Sequence, residues 1–238
     1  MMALFAPALA APAAGASTLF GIPLSGGGAG QFGVPIQIVL LLTALTLLPA
    51  AVMSATPFLR IVIVLHFLRQ ALGTQTAPSN QVLVGLALFL SILVMQPVLG
   101  EMYTQAYEPV QKGEITVQEG WSKASVPFKT FLLKFARERD IKLFLEISHS
   151  PQPAKPSDVN LAVLVPAYTL SELKASFQIG AVLYLPFLII DLVVASVTLS
   201  VGMMQLPPVM VSAPFKILLF VLVDGWNLVV GSLVKSFN

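Results

Sequence analysis

The chain of 238 residues contains no cysteine. That excludes a disulfide framework, a thiol nucleophile and a cysteine-ligated metal. The two histidines, His66 and His149, are isolated from one another, which argues against a metal centre of another kind. Charge is the second scarcity. Only 10% of residues are charged, against about a quarter in an average soluble domain, and none precedes Arg60. The net charge of +2 is too small and too dispersed to suggest nucleic-acid binding. Catalytic motifs are missing too: there is no Walker A, no H-E-x-x-H and no G-x-S-x-G. No nucleophile or acid pair stands out. The chain therefore reads as non-enzymatic, with no cofactor and no metal expected.

What remains is apolar. Hydrophobic residues make up 56% of the chain and the mean hydropathy is +0.87, a membrane-protein composition. Residues 1–33 read as a possible signal peptide followed by a flexible N-terminus. Ala8-Leu9-Ala10 and Ala11-Pro12-Ala13 fit small-x-small cleavage patterns, but the positive leading region is missing and Pro7 interrupts the apolar stretch. Residues 15–33 are rich in Gly and Ser and read as a linker.

Residues 34–100 read as a first hairpin of two apolar helices. The first run, Val34 to Leu59, is long enough to span a bilayer and carries Pro35, Pro49 and Pro57. Neighbouring helices must then satisfy the carbonyls those prolines free. A polar break with Arg60 and Arg69 is expected next, and then the uncharged run Gln81–Gly100. Residues 101–174 hold most of the charge, balanced in sign. There Phe128, Phe131, Leu132 and Phe135 recur at i, i+3, i+4 and i+7, continued by Leu143, Phe144 and Ile147, which predicts an amphipathic helix. Its apolar face packs either on its own domain or on a sister subunit. Residues 175–238 read as a second hairpin, with arms from Thr169 to Val201 and from Val209 to Val234. Arg60 and Arg69 place the 60–80 loop in the cytoplasm by the positive-inside rule. The charged region and both termini are then extracytoplasmic, and the second hairpin's tip faces the cytoplasm.

That tip, Gly202 to Lys216, carries Met203, Met204 and Met210 beside Gln205. Pro207 and Pro208 break the helix there. Met is flexible and fills irregular gaps, so the stretch is either ordinary loop packing or a deformable apolar seal. The hairpin also carries Glu172, Lys174, Asp191, Lys216 and Asp224. A charge at the centre of a membrane helix costs about 2.5–3.5 kcal/mol on insertion scales. Asp191 and Lys216 must therefore avoid lipid. The expectation is that acids and bases of the hairpin pair across subunits, with Glu172 and Lys216 as partners. An intramolecular pair and a proton-carrying Asp191 are the alternatives.

Several stretches together resemble the FliP family of flagellar export components, which is shared with the SctR component of virulence type III secretion systems. They are residues 58–64, 68–73, 78–83, 164–168 and 171–180, together with Pro186 to Val193, the 202–216 tip and Val221 to Trp226. The resemblance runs from about residue 34 to the end and looks flagellar rather than virulence-associated. It implies an all-α fold of membrane-type hairpins with an extracytoplasmic helical region, assembled into a helical cone. It implies several copies, expected to be five, joined by FliQ and FliR and contacting FlhA and FlhB. Unfolded flagellar proteins would be the cargo, in the bacterial inner membrane and the flagellar basal body. It further implies that Met203 and Met204 form a gasket in the closed pore. Gln205 stands where the family often has a third Met, so its ring position is open, and Met210 is a candidate substitute. Charged and proline-broken helices fit such an assembly, because they pack mostly on other subunits rather than on lipid.

Overall fold

A computed structural model describes residues 18–19, 22–23, 34–202 and 207–237. Residues 1–50 and 51–238 form two compact units. In the first, Thr18–Leu19 (β1) pairs antiparallel with Ile22–Pro23 (β2) inside the Gly/Ser-rich stretch. Helix α1, Val34–Ser54, begins here and ends in the second unit. From Ile38 to Ala50 every residue of it is exposed. The Thr43 and Thr46 hydroxyls donate to the carbonyls of Val39 and Thr43, which satisfies them without outside partners.

In the second unit the apolar run expected to continue to Leu59 breaks at Thr56-Pro57. Pro57 cannot extend a helix from its N-terminal side, but it suits the start of the next. Helix α2 therefore runs over Phe58–Ala71. Arg60 and Arg69 lie on this helix and not in a polar loop. Its buried residues Ile61, Val64, Leu65 and Leu68 form an i, i+3, i+4, i+7 stripe. Helix α3, Asn80–Met102, continues through a widened π-helical turn, Tyr103–Tyr107, into α4, Glu108–Gln111. Gly120 of helix α5, Val117–Phe135, packs against that turn; a Cβ there would overlap Val110. Thr116 and Glu119 cap α5 reciprocally, each side chain bonding the other's backbone N–H.

The single amphipathic helix expected across 128–147 is two. Ala136 and Arg137 take extended backbone, and α6 starts again at Glu138–Ile147. The Ser171 hydroxyl accepts from the Arg137 backbone N–H at 2.9 Å and so holds the corner. After a 3-10 turn, Pro156–Asp158, helix α7 runs unbroken over Leu161–Ser200, starting eight residues before the arm expected at Thr169. Helix α8, Pro208–Leu222, and helix α9, Gly225–Lys235, replace the single second arm and meet at a 66° bend. Asp224 makes the elbow at φ 51°, and Gly225 lets the Phe220 ring lie against the backbone.

Two cores organise these helices. The larger gathers Ile61, Val64 and Leu65 with Leu83, Ala87, Leu132, Leu164 and Tyr168, all fully buried. The smaller joins Leu68, Ala71 and Leu72 to Phe187 and Phe220. Helices α2 and α7 run parallel, since Arg60 meets Glu172 and Phe67 meets Gly180 further along. Helix α8 returns antiparallel, with Phe220 against Phe187 and Lys216 against Asp191. Among the described residues, three helices are long and apolar enough to cross a membrane, or four if α8 and α9 form one broken span. At 40 residues, α7 is about 60 Å long, twice the bilayer's hydrocarbon thickness of about 30 Å. Lipid therefore cannot cover all of it.

The α2–α7 seam is set by Gly180, where a Cβ would strike the Phe67 ring. Gly180→Ala should destabilise the purified chain by about 1–3 kcal/mol, the usual cost of overpacking, in a denaturant titration. Gly85→Ala, where nothing lies within 4 Å, should not.

Candidate functional site

Two clusters of paired charge sit at opposite ends of α2. At the N-terminal end, Arg60 is buried, and its Nε and Nη2 donate to the two carboxylate oxygens of Glu172 at 2.7 and 2.5 Å. Its Nη1 donates to the Ser236 hydroxyl at 3.0 Å and to the Ser236 carbonyl at 3.3 Å. The guanidinium lies 4.0 Å from the Phe237 ring centroid and 5.5 Å from that of Phe135. One residue thus ties together α2, α5, α7 and the end of the chain. The fork geometry explains why this is Arg: a lysine could not engage both oxygens and stack on a ring.

At the other end, Lys216 on α8 is fully buried. Its ammonium donates to Asp191 at 2.6 Å and to the Ala71 carbonyl at 3.1 Å. A cation belongs there, since the last carbonyls of α2 carry its negative end. Asp191 also accepts a short bond from the Ser212 hydroxyl, 2.5 Å, and its side chain keeps a quarter of its surface exposed. Gly73 follows with φ +77°, a value that favours glycine, and its Cα faces Ala213. The hairpin is therefore fastened to α2 below its tip.

Glu172 and Lys216, expected to meet across subunits, each have a partner within the chain instead. The reason is Arg60, whose position on a packed helix leaves it facing α7. Lys174 is exposed and makes no ion pair among the described residues. Asp224 is also exposed, accepting from the Asn227 amide at 3.2 Å. The ring stripe likewise faces inward: Phe131 is buried beside Tyr168, while Phe128 and Phe135 pack on the same core. Its own domain, rather than a sister subunit, occupies these rings. Gly202 ends α7 with φ +81°. Pro207 and Pro208 do more than interrupt; they start α8, with Pro208 at its first position. Met210 is exposed on that helix. Met203, Met204 and Gln205 lie outside the described residues.

A further polar group escaped the sequence reading. Arg69 donates to the Asn80 side chain at 2.6 Å, to the Pro78 carbonyl at 3.2 Å and to His66 Nδ1 at 3.1 Å. Burial and the Arg69 charge hold His66 below its usual range, so it stays neutral near pH 7. The signal was available in principle as the i, i+3 spacing of His66 and Arg69 on one helix face.

Long apolar helices, ion pairs closed within one chain and extensive apolar surface left bare define the class: a membrane-embedded helical protein. Residues 41–233 match the family model described as the FliP family. The flagellar biosynthetic protein FliP of Pectobacterium carotovorum subsp. carotovorum is 50% identical over 90% of this chain and 83% of its own length. FliP of Bacillus subtilis is 50% identical over 85% of this chain and 91% of its own. FliP of Caulobacter vibrioides is 46% identical over this whole chain and 89% of its own. The chain belongs to the FliP family.

The two members of the second ion pair differ in burial, which predicts an order of damage. Asp191→Leu strands a buried ammonium and should cost about 3–5 kcal/mol. Lys216→Met leaves a carboxylate that still reaches solvent and should cost less. The double variant should recover most of the loss. Unfolding midpoints of the four proteins in detergent check the order.

Proposed function

We propose that the chain is a non-enzymatic, structural subunit of the flagellar protein-export gate. Family membership carries this reading, and the flagellar names of its relatives favour it over a virulence system. In the proposed assembly, about five copies stand around an axis with FliQ and FliR, in the bacterial inner membrane and next to FlhA and FlhB. Unfolded flagellar proteins pass along the axis. The bare apolar surfaces of α7 and α8 support the multi-copy arrangement, since α7 exceeds what lipid can cover. Lys174 and Asp224 are the hairpin charges left to meet neighbouring subunits.

The tip then closes the path. Met203 and Met204 converge from each copy into a deformable seal, with Gln205 or Met210 at its edge. Fastening the hairpin through Lys216, Asp191 and Ala71 supports this role, because a seal needs a fixed stem below a compliant tip. The positive-inside argument now rests on Arg69 and its loop alone, because Arg60 is spent on Glu172. The charge placement does not favour a proton-carrying Asp191: its carboxylate is already engaged by Lys216 and Ser212.

Replacing Met203 and Met204 with Ala tests the seal. In vesicles holding the co-expressed complex, small-ion leakage should rise while native mass spectrometry shows the multi-copy assembly unchanged. Unchanged leakage from an intact assembly, or a single copy by mass, would overturn the proposal.

A further inference from the structure

The Arg69 group opens into a polar cavity of about 460 Å³ that the export reading does not use. His66, Arg69, Gln70, Gly73, Thr74, Gln75, Tyr184 and Val209 line it. Its chemistry is one-sided. Arg69 has no carboxylate within ion-pair distance among the described residues. Its three bonds leave the Nε hydrogen and one Nη2 hydrogen without an acceptor among those residues. A guanidinium can only donate, so His66 Nδ1 accepts and the ring's proton sits on Nε2, a further donor. Gln70, Gln75 and Tyr184 add amide and hydroxyl groups. The cavity thus presents a cation and neutral donors and no acid.

Its place in the fold says what anion could arrive there. Arg69 bonds Asn80, the first residue of α3, and α3 opens the apolar span that carries the exposed Val82, Leu88, Phe89 and Ile92. The cavity lies where an apolar, bare helix begins, beside a half-buried Tyr. Arg and Tyr at such a boundary sit at headgroup level.

We propose that this cavity binds the phosphodiester headgroup of an anionic phospholipid, whose acyl chains lie along the bare face of α3. Arg69 takes the phosphate through its remaining hydrogens, and Gln75, exposed at the rim, contacts the glycerol part. One Lys or Arg near an anionic surface is worth about fivefold in affinity.

The test uses the purified full chain in neutral detergent, titrated with phosphatidylglycerol or phosphatidylcholine and read by native mass spectrometry. Phosphatidylglycerol should be retained in preference to phosphatidylcholine. Arg69→Gln should weaken its retention roughly fivefold. Gln75→Glu, which leaves every Arg69 bond in place and adds a repelling charge at an exposed position, should weaken it as well. Lys235→Gln, at the far end of α9, should leave it unchanged. Equal retention of the two lipids overturns the proposal. So does undiminished phosphatidylglycerol binding by a folded Gln75→Glu protein, or soluble glycerol phosphate displacing the lipid as well as phosphatidylglycerol itself does.

Discussion

A charge carried on an apolar helix must find its counter-charge before the helix can pack, and in this chain Arg60 supplies it. Removing Glu172 from water alone would cost several kcal/mol. The two-pronged pair with Arg60 offsets that cost and fixes α2 along α7. The same guanidinium holds Ser236 and stacks on Phe237, so the end of the chain returns to the place where the bundle begins. Once α2 is seated, its far end offers the Ala71 carbonyl to Lys216, and the hairpin is positioned in turn. Neither half of the structure can shift without exposing a buried charge.

A division of labour follows. The bundle around Tyr168 and Leu164 is a conventional packed core, with the ion pairs Arg60–Glu172 and Arg137–Asp140 closed inside the chain. The surfaces of α1, α3, α7 and α8 are apolar and bare. Such surfaces are stable only against lipid or other subunits. The long apolar helix α7 of this chain can carry Glu172 and Asp191 because these meet Arg60 and Lys216 within the chain.

The apolar runs, the reversal of direction between the last two long apolar arms, the need of Glu172, Asp191 and Lys216 for partners, and the family were all legible in the sequence. Strong signals carried them: hydropathy, paired prolines and isolated charges. Helix α2 was not. Arg60 and Arg69 looked like loop markers, although Ile61, Val64, Leu65 and Leu68 spell a helical stripe between them. With Arg60 read as part of a cytoplasmic loop, the sequence points Glu172 to Lys216, whereas the structure pairs Glu172 with Arg60 and Lys216 with Asp191. The corner at Ala136–Arg137 was hidden for a related reason. The ring spacing continues in register across it, and only Ser171, 34 residues away in the chain, reveals that the backbone turns there. Pairings over such separations leave no local trace.

The account depends on Arg60 and Glu172 being one interaction rather than two independent residues. A double-mutant cycle with Arg60→Met and Glu172→Gln, read as unfolding free energy of the assembled protein, measures that directly. The account predicts that each single change is severe and that the pair is coupled by roughly 0.5–3 kcal/mol, the range for residues in contact. Additive effects, or a Glu172→Gln protein as stable as the parent, would contradict it.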